Sequence, residues 1–311
     1  MGLDLSTRLG RVRLANPVLV ASGTFGHVKE FERYMDLGKL GGIVTKTITV
    51  KPRLGNPPPR IVETPSGMLN AIGLQNPGVE RFISEKLPYL RKLGVPVFVS
   101  VMGYSTGELA AVTRALEKAG GFAGYELNLS CPNVAYGTKT AGTGARMFAH
   151  DAKLIGSAVS AVRRLTRRTL LAKLGPDVSD IARMARAAEG AGADGVSLIN
   201  TFVAMVIDVR TRRPVLANHT GGLSGPCVRP IAVRMTWEAA RAVKIPVVGI
   251  GGIASARDAL EFLVAGASAV QVGTANFTNP AVSLETLDGI RAFMRRERIA
   301  RLSDLIGSVK T

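Results

Sequence analysis

Eight short strand-like runs, most of them followed by an amphipathic helical pattern, constrain this chain more than any other feature. The runs are PVLVAS (17–22), GIVTKT (42–47), VFVSV (97–101), GYELNLS (124–130), TLLAKLG (169–175), GVSLIN (195–200), PVVGIGG (246–252) and AVQVGT (269–274). Between them lie helical patterns such as STGELAAVTRALEKAG, HDAKLIGSAVSAVRRLT, SDIARMARAAEGAGA and SARDALEFLVAGA. Regular alternation of this kind implies a parallel sheet with helices outside it, because parallel neighbours need a long crossover. Eight units in about 260 residues favour an α/β fold of the closed (β/α)8 TIM-barrel type over an open doubly wound sheet. The opening segment LSTRLGRVRLANP reads as an N-terminal β-hairpin closing the barrel's bottom, and SLETLDGIRAFMRRERI as a last helix. With 46% hydrophobic residues and no low-complexity segment or linker, residues 1–311 read as one domain with one large core. KPRLGNPPPRIVETPSG (51–67) reads as a long Pro/Gly-rich loop, a type often tied to function.

Barrel active sites lie at the C-terminal strand ends. Side chains alternate along a strand, so phase shows which polar residues reach the mouth. In GYELNLS, Leu127 and Leu129 are assigned to the helices, which turns Glu126, Asn128 and Ser130 inward. Lys46 is in phase with Val44, and Lys173 with Leu171. Asn200 is in phase with Val196 and Leu198, read here as barrel-facing. Any one of these could be a solvated strand end, but four together imply a polar pocket. Gly251 and Gly252 follow the seventh run, and Gly273 and Thr274 the eighth. Barrels often bind phosphate there, where glycine lets the backbone approach closely; tight-turn chemistry is the plain alternative.

Composition excludes several classes. Two cysteines make no disulfide framework, and the N-terminal MGLDLSTRLG lacks the apolar core of a secretory signal. The longest apolar runs, such as IPVVGIGGIA, are too short to span a bilayer, so a cytoplasmic protein without a membrane segment is expected. No metal site is expected. The net charge is +17, with basic clusters at Arg163–Arg168, Arg210–Arg213 and Arg295–Arg301. A nucleic-acid surface would interleave aromatics to stack bases, and these clusters have none; they read as solvated faces.

The motifs NLSCPN (128–133), TKT (45–47), NAIGLQN (70–76), AKLGPD (172–177), INT (199–201), GGLSGP (221–226), GIGGI (249–253) and VQVGTA (270–275) together are specific. Their combination resembles the class 1 dihydroorotate dehydrogenases over about residues 3–290, and most closely class 1B, a catalytic subunit that works with an electron-transfer subunit. The resemblance implies FMN across the barrel mouth and oxidation of dihydroorotate to orotate for pyrimidine synthesis. By motif, Cys131 is the catalytic base and Lys46 touches both flavin and substrate. Lys173 lies by the flavin N1–C2 edge. Ser22, Thr47, Ser100, Asn128, Ile199 and Gly225 line the flavin, and Gly251, Gly252, Gly273 and Thr274 hold its phosphate. Asn70, Ala71, Ile72, Gly73 and Leu74, with Asn128, Asn133, Asn200 and Thr201, hold the substrate. The class also implies NAD as final acceptor, reached through a partner that carries FAD and a [2Fe-2S] cluster, in a heterotetramer of two catalytic and two electron-transfer chains. Two departures stand out. The loop after Cys131 reads AYGTKTAGTGARMFAHDA, longer than usual, with Phe148–Ala149 where the family has Phe-Gly. Serine stands at position 100, where many relatives have asparagine.

The residue types suit that chemistry on their own account. Asparagine both donates and accepts, which matches a ring of amides. A fixed ammonium stabilises negative charge that develops in a low-dielectric site. A thiolate, with a free thiol pKa of about 8.5, serves as a base near neutral pH. Cys227 reads as a small packing residue by the flavin loop. Other flavin barrels are the alternatives: dihydropyrimidine dehydrogenase-like, or tRNA-dihydrouridine-synthase-like, although no residues remain for an RNA-binding domain. A non-catalytic basic nucleic-acid-binding barrel would leave Cys131, Lys46 and Lys173 unexplained.

Overall fold

The computed structural model describes residues 2–130 and 148–310. Strands β1 (Thr7–Leu9) and β2 (Val12–Leu14) form a hairpin. Then come β3 (Val18–Val20), β4 (Gly42–Val44), β5 (Ile61–Thr64), β6 (Gly67–Asn70), β7 (Val97–Val101), β8 (Gly124–Asn128), β9 (Thr169–Lys173) and β10 (Gly195–Leu198). They are followed by β11 (Phe202–Ala204), β12 (Ile207–Asp208), β13 (Arg213–Pro214), β14 (Gly221–Ser224), β15 (Val247–Ile250) and β16 (Ala269–Val272). The helices are α1 (Gly78–Arg81), α2 (Leu87–Leu90), α3 (Thr106–Ala119), α4 (Ala152–Arg163), α5 (Ile181–Gly190), α6 (Arg229–Ala242), α7 (Ala256–Ala265) and α8 (Val282–Arg296).

Strands β3, β4, β7, β8, β9, β10, β15 and β16 close into a parallel barrel, each beside its successor, with β16 returning to β3. They are the eight runs read from the sequence. Helix starts follow local chemistry: Ser105, Asp151, Asp180 and Ser255 accept from the N–H groups of Glu108, Lys153, Arg183 and Asp258. Inside the barrel's lower end, Leu19, Val44, Phe98, Leu171, Val248 and Ala269 meet Leu9 and Leu14 of the hairpin. The hairpin is tied on by Thr169 Oγ1, which donates to Leu9 O at 3.3 Å and accepts from Arg11 N–H at 3.1 Å. The expected plug is therefore present. Leu9→Ala, at a site with 0% exposure, is expected to cost about 2–5 kcal/mol. A lower urea midpoint checks this; an unchanged midpoint would show that the plug contributes nothing.

The outward strand faces, including Leu127, Leu129, Leu170 and Ala172, pack against the helices. Val196 and Leu198 belong to this outer core, so the phase read for β10 is corrected. Ser197 faces the interior instead. Strand β10 ends at Leu198, so alternation does not carry through to Asn200.

The segment at 51–67 is not all loop. Strand β5 lies within it and pairs with β6, and β6 pairs with β14 and β14 with β11, in an antiparallel four-stranded sheet. These pairings join residues up to about 150 positions apart, such as Asn70 and Gly222, and no local pattern encodes them. The basic clusters include structural pairs. Arg163 lies 2.7 Å from Asp194, and Arg168 lies 3.1 Å from Glu117 over the Phe122 ring. No helix among the described residues is long and apolar enough to cross a membrane.

Candidate active site

A cavity of about 410 Å³ opens at the C-terminal ends of the barrel strands, with the β11–β14–β6–β5 sheet as one wall. Its floor is a run of hydrogen bonds passed between strand ends. Ser22 Oγ shares a bond with Thr47 Oγ1 at 3.2 Å, and Thr47 Oγ1 with Ser100 Oγ at 2.9 Å. Asn128 Nδ2 donates to Thr47 Oγ1 at 3.1 Å. Asn200 Nδ2 donates to Asn128 Oδ1 at 3.2 Å, and to the carbonyl and hydroxyl of Ser130 at 3.1 Å each. Buried polar groups satisfied in this way hold one orientation, so the floor presents fixed donors and acceptors.

Lys173, at the end of β9, brings its ammonium to this floor. Beneath it lies Glu126, with 0% exposure, whose Oε1 is 3.6 Å from Lys173 Nζ. Glu126 Oε2 accepts from Ser197 Oγ at 2.9 Å and from Gln271 Nε2 at 2.8 Å. No role was read for Glu126 from the sequence, although its phase with Asn128 was a signal: a carboxylate turned into a barrel demands a partner. Lys46 lines the cavity from the end of β4, and its N–H donates to Gly26 O at 3.3 Å. Burial first, then the Lys86 ammonium, hold the neighbouring His27 below the usual imidazole range; Glu30 opposes and Lys46 adds to the lowering.

The other end of the cavity is a glycine cradle. Gly225, Gly251 and Gly252 have φ of 103°, 128° and 74°. A Cβ on Gly252 would lie 2.9 Å from Gly225 O and 3.0 Å from Arg229 N, so the two loops close directly on each other. Thr274, after Gly273 at the start of a short 3-10 turn, donates to Ser224 Oγ at 2.9 Å.

Most of the residues singled out in the sequence meet here. Ser22, Lys46, Thr47, Asn128, Lys173, Ile199, Asn200, Thr201, Gly225, Gly251, Gly252, Gly273 and Thr274 line the cavity, as do Asn70, Ile72, Gly73 and Leu74. Ser100 and Ala71 do not: Ser100 is buried behind Thr47, and Ala71 packs with Leu69 and Leu216. Cys227 is exposed rather than packed in, its Sγ 3.8 Å from Ser224 O. Cys131, Asn133 and the long loop after them lie outside the described residues. Sequence reasoning missed Arg60, which lines the cavity and donates to Gln75 Oε1 at 2.6 Å. The signal was an arginine inside the loop already marked as functional. Among the described residues, three cations line the cavity (Lys46, Arg60 and Lys173) and no carboxylate does. The site suits an anionic ligand.

Fold and site thus define a closed parallel α/β barrel with a cationic, glycine-lined cavity at its mouth. The chain belongs to the dihydroorotate dehydrogenase family, whose profile matches residues 4–294. It is 52% identical over 98% of each chain to the dihydroorotate dehydrogenase B (NAD(+)) catalytic subunit of Trichlorobacter lovleyi. Identity to the same-named protein of Pelobacter propionicus is 50% over 99% of each chain. A Solibacter usitatus protein, provisionally named dihydroorotate dehydrogenase A (fumarate), is 49% identical over 99% of each chain.

Proposed function

We propose that this chain, as a single barrel domain in the cytoplasm, oxidises dihydroorotate to orotate on bound FMN, a step of pyrimidine synthesis. The observation that carries the reading is the cavity itself: a glycine cradle at one end, a hydrogen-bonded amide and hydroxyl floor at the other, and three cations with no carboxylate among its described lining. Gly251, Gly252, Gly273 and Thr274 would hold the FMN phosphate, and Ser22, Thr47, Ile199 and Gly225 would line the flavin. When bound, FMN supplies the two-electron acceptor for the C6–H bond of the substrate.

The chain's own residues do the rest. Asn70, Asn128, Asn133, Asn200 and Thr201 pair with the substrate's ring amides and carboxylate, whose charge Lys46 balances. Lys173 presents a cation where negative charge develops. Cys131 takes the proton from C5 as its thiolate. The β11–β14–β6–β5 wall covers the site on one side and limits water.

The names of the relatives support a partner. The proposed partner carries FAD and a [2Fe-2S] cluster, in an assembly of two catalytic and two electron-transfer chains, with NAD as final acceptor. The chain's two cysteines cannot ligate such a cluster themselves. The test is dihydroorotate oxidation by the purified yellow protein, assayed with NAD, with fumarate, and with NAD plus the electron-transfer subunit. Rapid NAD reduction is expected only in the third assay. Rapid NAD reduction by the chain alone would overturn the partner, and rapid fumarate reduction would make fumarate the acceptor, as the Solibacter name has it. A protein that binds no flavin would overturn the function.

A further inference from the structure

We propose that Glu126 is a positioning residue: a buried counter-charge that sets how much of the Lys173 cation the cavity floor presents to the flavin. This rests on the reading of the cavity as an FMN site. The barrel interior has no structural need for a charge at this level, since the layer below is filled by Leu19, Val44, Phe98, Leu171, Val248 and Ala269. Burying an ion pair costs desolvation that its attraction often only offsets, so apolar replacements would serve stability as well. The Glu126 carboxylate is instead held from two other strands. Ser197 of β10 and Gln271 of β16 both donate to Oε2. Oε1 is left without a hydrogen-bond partner and faces the Lys173 ammonium 3.6 Å away. Glu126 is fully buried and does not line the cavity, whereas Lys173 does. The negative charge is therefore fixed beneath the cation, and the cavity meets the positive end of a dipole rather than a whole charge.

Removing the negative charge should leave the floor more positive and favour the anionic reduced flavin. In the holoenzyme, Glu126→Gln is expected to raise the ratio of reduced to oxidised flavin at a fixed poise by roughly tenfold, about 30 mV for a two-electron couple. Lys173→Met should shift the ratio the opposite way. The double variant E126Q/K173M should lie between K173M and wild type, because both ends of the dipole are lost and its nearer, positive end contributes more. Glu126→Asp keeps the charge but withdraws it by one methylene. It should give a fraction of the Gln effect, and it serves if the Gln protein does not fold. The measurement is a redox titration of the bound flavin against a dye of known potential. A purely structural ion pair would alter the melting temperature and leave the potential alone. A shift in K173M with an unchanged or lowered potential in E126Q, or in E126D, overturns the role of Glu126. No shift in K173M either would instead sink the reading that Lys173 faces the flavin.

Discussion

Replacing Cys131 with alanine is expected to slow reduction of the bound flavin by dihydroorotate on the order of 10²–10⁴-fold, the usual worth of a positioned base. The chain enters position 131 from a firm anchor. Ser130 is 1% exposed and both its carbonyl and its hydroxyl accept from Asn200 Nδ2, which also holds Asn128. Ser130, the residue before the proposed base, is thus tied to the floor residues that would hold the substrate. Cys131→Ser should be nearly as slow at neutral pH, because an unassisted hydroxyl is a far weaker base than a thiol. Wild-type flavin reduction should rise with pH and level off above the thiol's pKa in the complex, since only the thiolate accepts the proton. Both variants should keep FMN and orotate binding, which need no sulfur. Stopped-flow bleaching of the flavin across pH measures all of this. Near-normal bleaching in the alanine variant would sink the assignment and most of the proposed mechanism.

Gly252→Ala is expected to weaken FMN binding on the order of 10²-fold, or between 2 and 3 kcal/mol. Two costs combine. The residue has φ of 74°, a region that costs a side chain about 1–2 kcal/mol. The added Cβ would also lie 2.7 Å from Arg229 Cβ and 2.9 Å from Gly225 O. Arg229 cannot simply withdraw, because it is paired with Asp258 and lies 3.4 Å from Glu261. The Gly225 loop must give way, and that loop lines the glycine-cradle end of the cavity, where the proposed function places the FMN phosphate. Gly23→Ala is the control. Its φ is 90° and it also lines the cavity, but its Cβ would meet nothing within 4 Å. It should therefore show the backbone cost alone and lose much less affinity. Fluorescence titration of apoprotein with FMN separates the two, with circular dichroism confirming intact barrels. Equal losses in both variants would remove the close approach of the two loops from the explanation.

Arg60 and the wall it belongs to illustrate what a linear reading lacks. Strand β5 is four residues long among prolines, and only its pairing with β6 defines it. The family resemblance alone assigns Ser100 to the flavin. In the fold, Thr47 stands between it and the cavity, so its hydroxyl supports the floor from behind. The phase of β10 failed for a different reason. Alternation sorts residues into two faces but does not say which face closure turns inward, and it lapses where the strand ends.

The sequence by itself determined the eight strands, the capped helices, the hairpin plug and most of the polar residues that meet at the mouth. These depend on period-two and helical patterning, on cap residues and on glycine placement, all of which are local in the chain. Only the tertiary structure decided that Glu126 lies under Lys173, that Ser197 and Gln271 orient it, and that three cations share one cavity whose described lining holds no carboxylate. Those contacts join β8, β9, β10 and β16, the loop before β5 and the end of β4. Their distances are set by how the closed barrel staggers its strands, a property of the whole sheet that no single stretch of sequence contains.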